Sequence, residues 1–301
     1  MIDKNDQTII MRRISIYLGI VLGFYLLCWI VAVTLSGEIG HAVYRFLAFP
    51  LVFMGTPTIA TIATRKITKD SSPWKLDLKV WKNKRALLFS AVVPATAIFA
   101  GAILFYSIFP DDLDFNGTVI VQNFAQYGVP TELHLTIQSM LLIGTVIVIL
   151  SAVMIPYWFL GLGEEIGWRG YLLPLLCQKM STRKAVLCSS ALWGIGHAPL
   201  IYFGFNYGLD DNGAPWTGIL MMLILCIVLG VWESYITLKT DNCMYAAIIH
   251  GAVNVIGEAG VLVSQSTQSS LLGPNPTGII GMSGLVIGAI LLFFKIERRK
   301  S

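Results

Sequence analysis

Eight apolar stretches, each about long enough to cross a membrane as a helix, leave this chain little choice of fold. They are Ile14–Leu35, Ala42–Ala63, Ala86–Phe109, His134–Leu160, Ala185–Phe203, Thr217–Leu238, Met244–Ser264 and Gly278–Phe294. A helix needs about 20 apolar residues to cross the hydrocarbon core. Across 301 residues the hydrophobic fraction is 55% and the charged fraction 13%, with a mean hydropathy of +0.72. Such a composition belongs to an integral membrane protein rather than a soluble domain. The first stretch follows Arg12 and Arg13 but has no A-x-A cleavage site, so it reads as an anchor helix and not a signal peptide.

Charge sets the expected topology. Of the 21 Lys and Arg residues, 19 fall in segments 1–13, 65–85, 178–184, 239–243 and 295–301. The intervening loops 110–133, 204–216 and 265–277 have none, and hold Asp111, Asp112, Asp114, Glu132, Asp210 and Asp211. Basic loops stay cytoplasmic, so both termini are expected inside and the number of crossings even. The net charge of +4 reflects this orientation and gives no support for a nucleic-acid partner. Arg45 lies near a helix end and can snorkel; Arg169 needs another explanation. The five cysteines (28, 177, 188, 226 and 243) have no C-x-x-C pair and are expected as small core residues. Trp74 and Trp81 in the first basic loop read as interfacial anchors. Gly19-x-x-x-Gly23 and Gly284-x-x-x-Gly288 read as packing notches.

Segment 134–177 has 44 residues for a single crossing, about twice what is needed. The expectation is a full crossing to about Leu160, a break at Gly161-Leu162-Gly163, and a shorter helix that returns into the protein. That helix carries Glu164, Glu165 and Arg169, ionisable groups that must be shielded from lipid. The next crossing contains His197, with Pro199 opening the helix beside it. A later crossing contains His250 and Asn254 at i, i+4, on one helix face. Glu258 lies on a similar face and is expected at the lip or in packing. Glu233, near the end of its crossing, is expected to be hydrated.

These groups form a hydrolytic set. Glu165 and Arg169, at i, i+4 with the acid first, are oriented for an ion pair. Glu164, about 100° around the helix, is then free to act as a general base. With His197 it can activate water, while His250 and Asn254 can donate hydrogen bonds to an oxyanion. An alternative makes Glu164, His197 and His250 ligands of a Zn²⁺ ion with water in its open position. Asn254 is a poor zinc ligand and a good donor, which favours the version with no cofactor. No H-E-x-x-H or G-x-G-D occurs, and Gly281-Met282-Ser283-Gly284 has no histidine after it to serve as base.

Glu164-Glu165-x-x-x-Arg169, the helix with His197, and His250-x-x-x-Asn254 resemble the three motifs of the CAAX-protease and bacteriocin-processing (CPBP, or Abi) family. That family of intramembrane proteases includes the type II CAAX prenyl endopeptidase. Trp193 stands where the family usually has phenylalanine, four residues before the histidine. The resemblance implies an all-α polytopic membrane protein of about eight transmembrane helices, with an extra broken or re-entrant helix carrying the Glu-Glu motif. Residues 1–301 would form one membrane domain with the catalytic core at 134–264. It implies that Glu164 and His197 activate water, that His250 and Asn254 hold the oxyanion, and that Glu165 and Arg169 support them. The expected partners are the bilayer and a membrane peptide or lipidated protein substrate, and the expected location is the plasma membrane. Two rival functions are a proton-coupled transporter and a catalytically silent peptide-binding or bacteriocin immunity protein. Against the transporter, the chain has no internal repeat and its buried polar groups cluster.

Overall fold

The computed structural model describes residues 4–35, 53–114, 116–119, 122 and 155–297, and among them every regular element is helical. The helices are α1 (Lys4–Leu35), α2 (Thr56–Ile67), α3 (Lys84–Ile108), α4 (Ile155–Gly167), α5 (Leu173–Cys177), α6 (Thr182–Gly196), α7 (Ala198–Tyr202), α8 (Trp216–Thr240), α9 (Met244–Ile256) and α10 (Ser283–Lys295). A π-helical turn, Trp168–Leu172, joins α4 to α5. Helices spanning Asp6–Val31, Lys84–Ile108, Thr182–Tyr202 and Trp216–Thr240 are long and apolar enough to cross a membrane. The protein is an all-α polytopic membrane protein.

Helix α1 shows how such a helix sorts its residues. Ile10, Ile14, Tyr17, Val21 and Tyr25 are buried, recurring every three or four positions, while Phe24, Leu26, Leu27 and Ile30 on the other faces are exposed. The stripe packs on protein and the remainder is apolar because it meets lipid. Helix α9 is the opposite case. It packs against α3, α4 and α8, and every residue from Met244 to Val253 is buried.

The expected crossing Met244–Ser264 is therefore shorter than its hydropathy suggested. It is a helix of 13 residues followed by two 3₁₀ turns, Gly257–Ala259 and Val261–Val263. That helix rises about 20 Å and owes its apolar sequence to the protein around it. The stretch Gly278–Phe294 likewise holds a helix of 13 residues. Half of the stretch Ala42–Ala63 and most of His134–Leu160 lie outside the described residues, as does Arg45.

The break expected at Gly161-Leu162-Gly163 is absent: α4 runs through it. These glycines serve close approach instead of bending. A Cβ on Gly161 would lie 2.8 Å from the Ala247 carbonyl oxygen of α9, and one on Gly163 would collide with the Met54 carbonyl. The departure from α geometry comes later, at the π turn, where the Leu173 amide bonds the Trp168 carbonyl. Such wide turns frequently mark functional positions.

The two glycine notches divide. Side chains added at Gly284 and Gly288 would strike the Ala97 backbone and the Trp232 ring, whereas Gly19 and Gly23 have no neighbour within 4 Å among the described residues. All five cysteines are unbridged. Trp74 and Trp81 are 46% and 62% exposed, and the Arg65 guanidinium lies 4.6 Å from the Trp74 ring centre. The first basic loop is fastened to the bundle. The Cys243 amide donates to the Lys75 carbonyl at 2.8 Å, the Asn242 amide nitrogen to the Asp77 carbonyl at 2.9 Å, and the Tyr245 hydroxyl to the Val80 carbonyl at 2.9 Å.

Candidate active site

Four helices bring the ionisable groups together. Helix α4 with its π turn carries Glu164, Glu165 and Arg169; α6 carries Trp193 and ends at His197; α8 carries Glu233; α9 carries His250 and Asn254. Glu164, Trp193, His197, His250 and Asn254 line one cavity of about 340 Å³. Much of the remaining wall is apolar, with Met222, Leu225, Leu229 and Val253.

Trp193 is the hub of the cavity wall. Its indole N–H donates to Glu164 Oε2 at 2.6 Å, leaving Oε1 of that carboxylate for the cavity. Its ring lies 5.5 Å from His197 and 5.3 Å from His250, and the Arg169 guanidinium sits 4.3 Å from its centre. A cation over an indole face is attracted by the ring quadrupole.

His197 sits where α6 gives way to α7. Its amide bonds the Gly194 carbonyl at 3.1 Å, and the Trp193 carbonyl instead lies 3.0 Å from the imidazole Nδ1. A carbonyl only accepts, so Nδ1 carries the proton and Nε2 is left as a base. Pro199 lies at the start of α7, consistent with the opening expected there. The Cys226 thiol is 3.9 Å from the same Nδ1. That nitrogen already donates to the carbonyl, so it cannot take a thiol proton.

Behind the cavity lies a second, sealed cluster. Glu165 Oε1 accepts from Arg169 Nη1 at 3.0 Å and from His250 Nδ1 at 3.0 Å. Arg169 Nη2 lies 2.5 Å from Glu233 Oε2, and Glu165, Arg169 and Glu233 have no solvent-exposed side-chain surface. With Nδ1 engaged, His250 keeps Nε2 for the cavity. The Glu165–Arg169 pair matches expectation. The hydrated helix end expected for Glu233 does not: it is fully buried, because Arg169 reaches it from another helix. Its distance from the helix end was the available signal. Seven residues inside α8 is about 10 Å of helix, deep for an unpaired carboxylate. The Glu258 side chain lies outside those described.

The metal alternative meets this geometry poorly. Among the described residues the acid and histidine group whose ligand atoms lie within 4.8 Å of one another is Glu165, Glu233 and His250, not Glu164, His197 and His250. The Arg169 guanidinium already bridges the two carboxylates of that group, so a metal ion would compete with a resident cation.

Residues 139–256 match the model of a family described as type II CAAX prenyl endopeptidase Rce1-like. The CAAX prenyl protease 2 of Methanococcus maripaludis is 30% identical over 134 residues, 44% of this chain and 46% of the relative. The matched stretch thus spans just under half of the curated relative. Glu164, Glu165, Arg169, Trp193, His197, Glu233, His250 and Asn254 all fall within 139–256, the stretch over which the chain is similar to that family.

Proposed function

We propose that this protein is an intramembrane endopeptidase that hydrolyses peptide bonds of membrane-associated substrates. The observation that carries the reading is the convergence of Glu164, His197, His250 and Asn254 on one cavity with an apolar wall. A water between Glu164 Oε1 and His197 Nε2 gives up a proton as its oxygen attacks the scissile carbonyl carbon. The resulting oxyanion is met by the Asn254 amide and by the Nε2–H of His250, an imidazolium whose Nδ1–H is held by Glu165 with Glu233 beside it. The proton passes to the amide nitrogen, the C–N bond breaks, and the products leave as an acid and an amine. No step requires a metal ion.

The apolar wall suits a substrate with a lipid-like or apolar portion. The name of the Methanococcus relative makes prenylated peptides the first class to test, ahead of leader peptides. Basic loops at one end of the bundle support an orientation with both termini in the cytoplasm, in a plasma membrane.

The test is cleavage of a farnesylated peptide by purified protein in detergent, wild type beside Glu164→Gln, with and without a strong chelator. The substitution is nearly isosteric and removes the base. We expect kcat to fall by about 10³-fold with the thermal midpoint unchanged, and chelator to have no effect. Undiminished cleavage by the variant would place the chemistry elsewhere. Loss in chelator with recovery on zinc would reverse the metal-free assignment, and binding without cleavage would favour the silent peptide-binding protein.

A further inference from the structure

Glu233 is the carboxylate that the hydrolytic scheme leaves unused. It has no exposed surface, and its oxygens have no conventional hydrogen bond. What it does have is ionic. Oε2 lies 2.5 Å from Arg169 Nη2, and Oε1 lies 3.9 Å from His250 Nδ1. Removing a carboxylate from water is expensive even after the protein relaxes, so its surroundings must hold it in place.

Those surroundings are shaped for the guanidinium between the acids. Gly230, one turn before Glu233, leaves the space: a Cβ there would come 2.9 Å from Arg169 Nη2 and overlap the Ser190 hydroxyl. Trp193 covers the guanidinium at 4.3 Å. Arg169 is thus a strut, fixed at one end by Glu165 and at the other by Glu233. His250 Nδ1 faces both carboxylates, at 3.0 Å and 3.9 Å.

Glu165 alone would hold His250 by a single bond about which the ring can tilt. The second acid reduces that freedom twice over. It pins the arginine that holds Glu165, and it places negative charge on the same side of the imidazole. We propose that Glu233 is a positioning residue: acting through Arg169 and directly on His250, it keeps Nδ1 turned to the carboxylates and Nε2 aimed into the cavity. This rests on the hydrolytic reading above. Glu233 does not touch substrate, so its effect passes entirely through His250.

That dependence supplies the test. Glu233→Gln keeps the shape and removes the charge, and kcat should fall by about 10- to 100-fold, as for other groups that orient a functional imidazole, with KM unchanged. In a His250→Ala background, whose residual activity comes from Glu164, the same substitution should change kcat less than about twofold, because coupled effects do not add. Should Glu233→Gln fail to accumulate, Glu233→Asp keeps the charge but retracts it by a methylene. It should then show a smaller kcat loss, again absent in the His250→Ala background. Wild-type kcat in Glu233→Gln, or an equal loss with and without His250, overturns the proposal. The hydrolytic reading is judged separately: if Glu164→Gln is fully active it fails, whereas an inactive Glu164→Gln beside a normal Glu233→Gln sinks only the positioning role.

Discussion

Glu164 and Glu165 are neighbours in sequence and opposites in setting. Glu164 lines the cavity and takes one hydrogen bond from Trp193 on Oε2. Glu165 faces the sealed cluster and takes Arg169 and His250 together on one oxygen. One helical step of about 100° separates the proposed base from a group held between two partners. The difference teaches that a burial value alone does not identify a reactive acid, since Glu164 is 3% exposed and Glu165 0%. The number of partners each carboxylate has, and the space left beside it, make the distinction.

The largest effect that sharpens this contrast is on stability. Glu165→Gln leaves Arg169 and His250 facing a neutral amide at full burial. Breaking a buried ion pair by removing one partner costs about 3–5 kcal/mol. Purified Glu165→Gln should therefore melt far below wild type in detergent and lose cleavage as well, while Glu164→Gln melts with wild type. Equal midpoints for the two variants would mean that the sealed cluster does not hold the fold, and the contrast drawn above would collapse.

A smaller effect probes the cavity side. Trp193→Phe keeps an aromatic wall but removes the donor to Glu164 Oε2. A hydrogen bond to a charged group contributes about 1.5–3 kcal/mol. If most of that is expressed in orienting the base, kcat falls by roughly 10- to 100-fold, with KM little changed. A side chain of smaller area that cleaved as well as wild type would show Glu164 to be held by its helix alone, with Trp193 serving only as wall.

How much of this was legible in the sequence depends on whether a residue's setting is written into its own helix. Glu164, Glu165, Arg169, His197, His250 and Asn254 stand out because ionisable or polar groups interrupt apolar runs, and helical spacing relates those within one motif. Glu233 was misread because its partner arrives from another helix, and nothing in the α8 sequence announces that Gly230 makes room for a guanidinium. The Trp193 indole N–H was hidden for a similar reason: the sequence offers an aromatic ring, while the hydrogen bond exists only once α4 lies beside α6. Gly161 and Gly163 suited a bend as well as a close approach, and only the nearness of Ala247 and Met54 decides between them. The length assigned to the Met244 helix was excessive because hydropathy measures aversion to water and does not distinguish lipid from protein as the alternative.

The weakest expected effect lies outside the membrane, where the loop after α2 is tied to the site's own helix. Asp70 accepts from the Tyr171 hydroxyl at 3.2 Å and from the Ser72 amide at 3.0 Å, and lies 3.3 Å from Arg13. Burial works to raise its pKa, but Ser72, Arg13 and Arg65 outweigh it and hold the carboxyl below its ordinary 3.8. A depressed folded pKa means that the stabilisation is complete above the unfolded value and is lost as pH falls through the folded one. The difference in melting midpoint between wild type and Asp70→Asn should stay constant from neutral pH down to about pH 5 and shrink below about pH 4. Its size should be that of a partly screened ion pair, up to about 1 kcal/mol. Tyr171 lies in the π turn that follows Glu164 and Glu165, so this clasp is a remote support for the sealed cluster. A difference that instead grew with acidity would mean that Asp70 is held in its neutral form, and that Tyr171 is anchored by something other than charge.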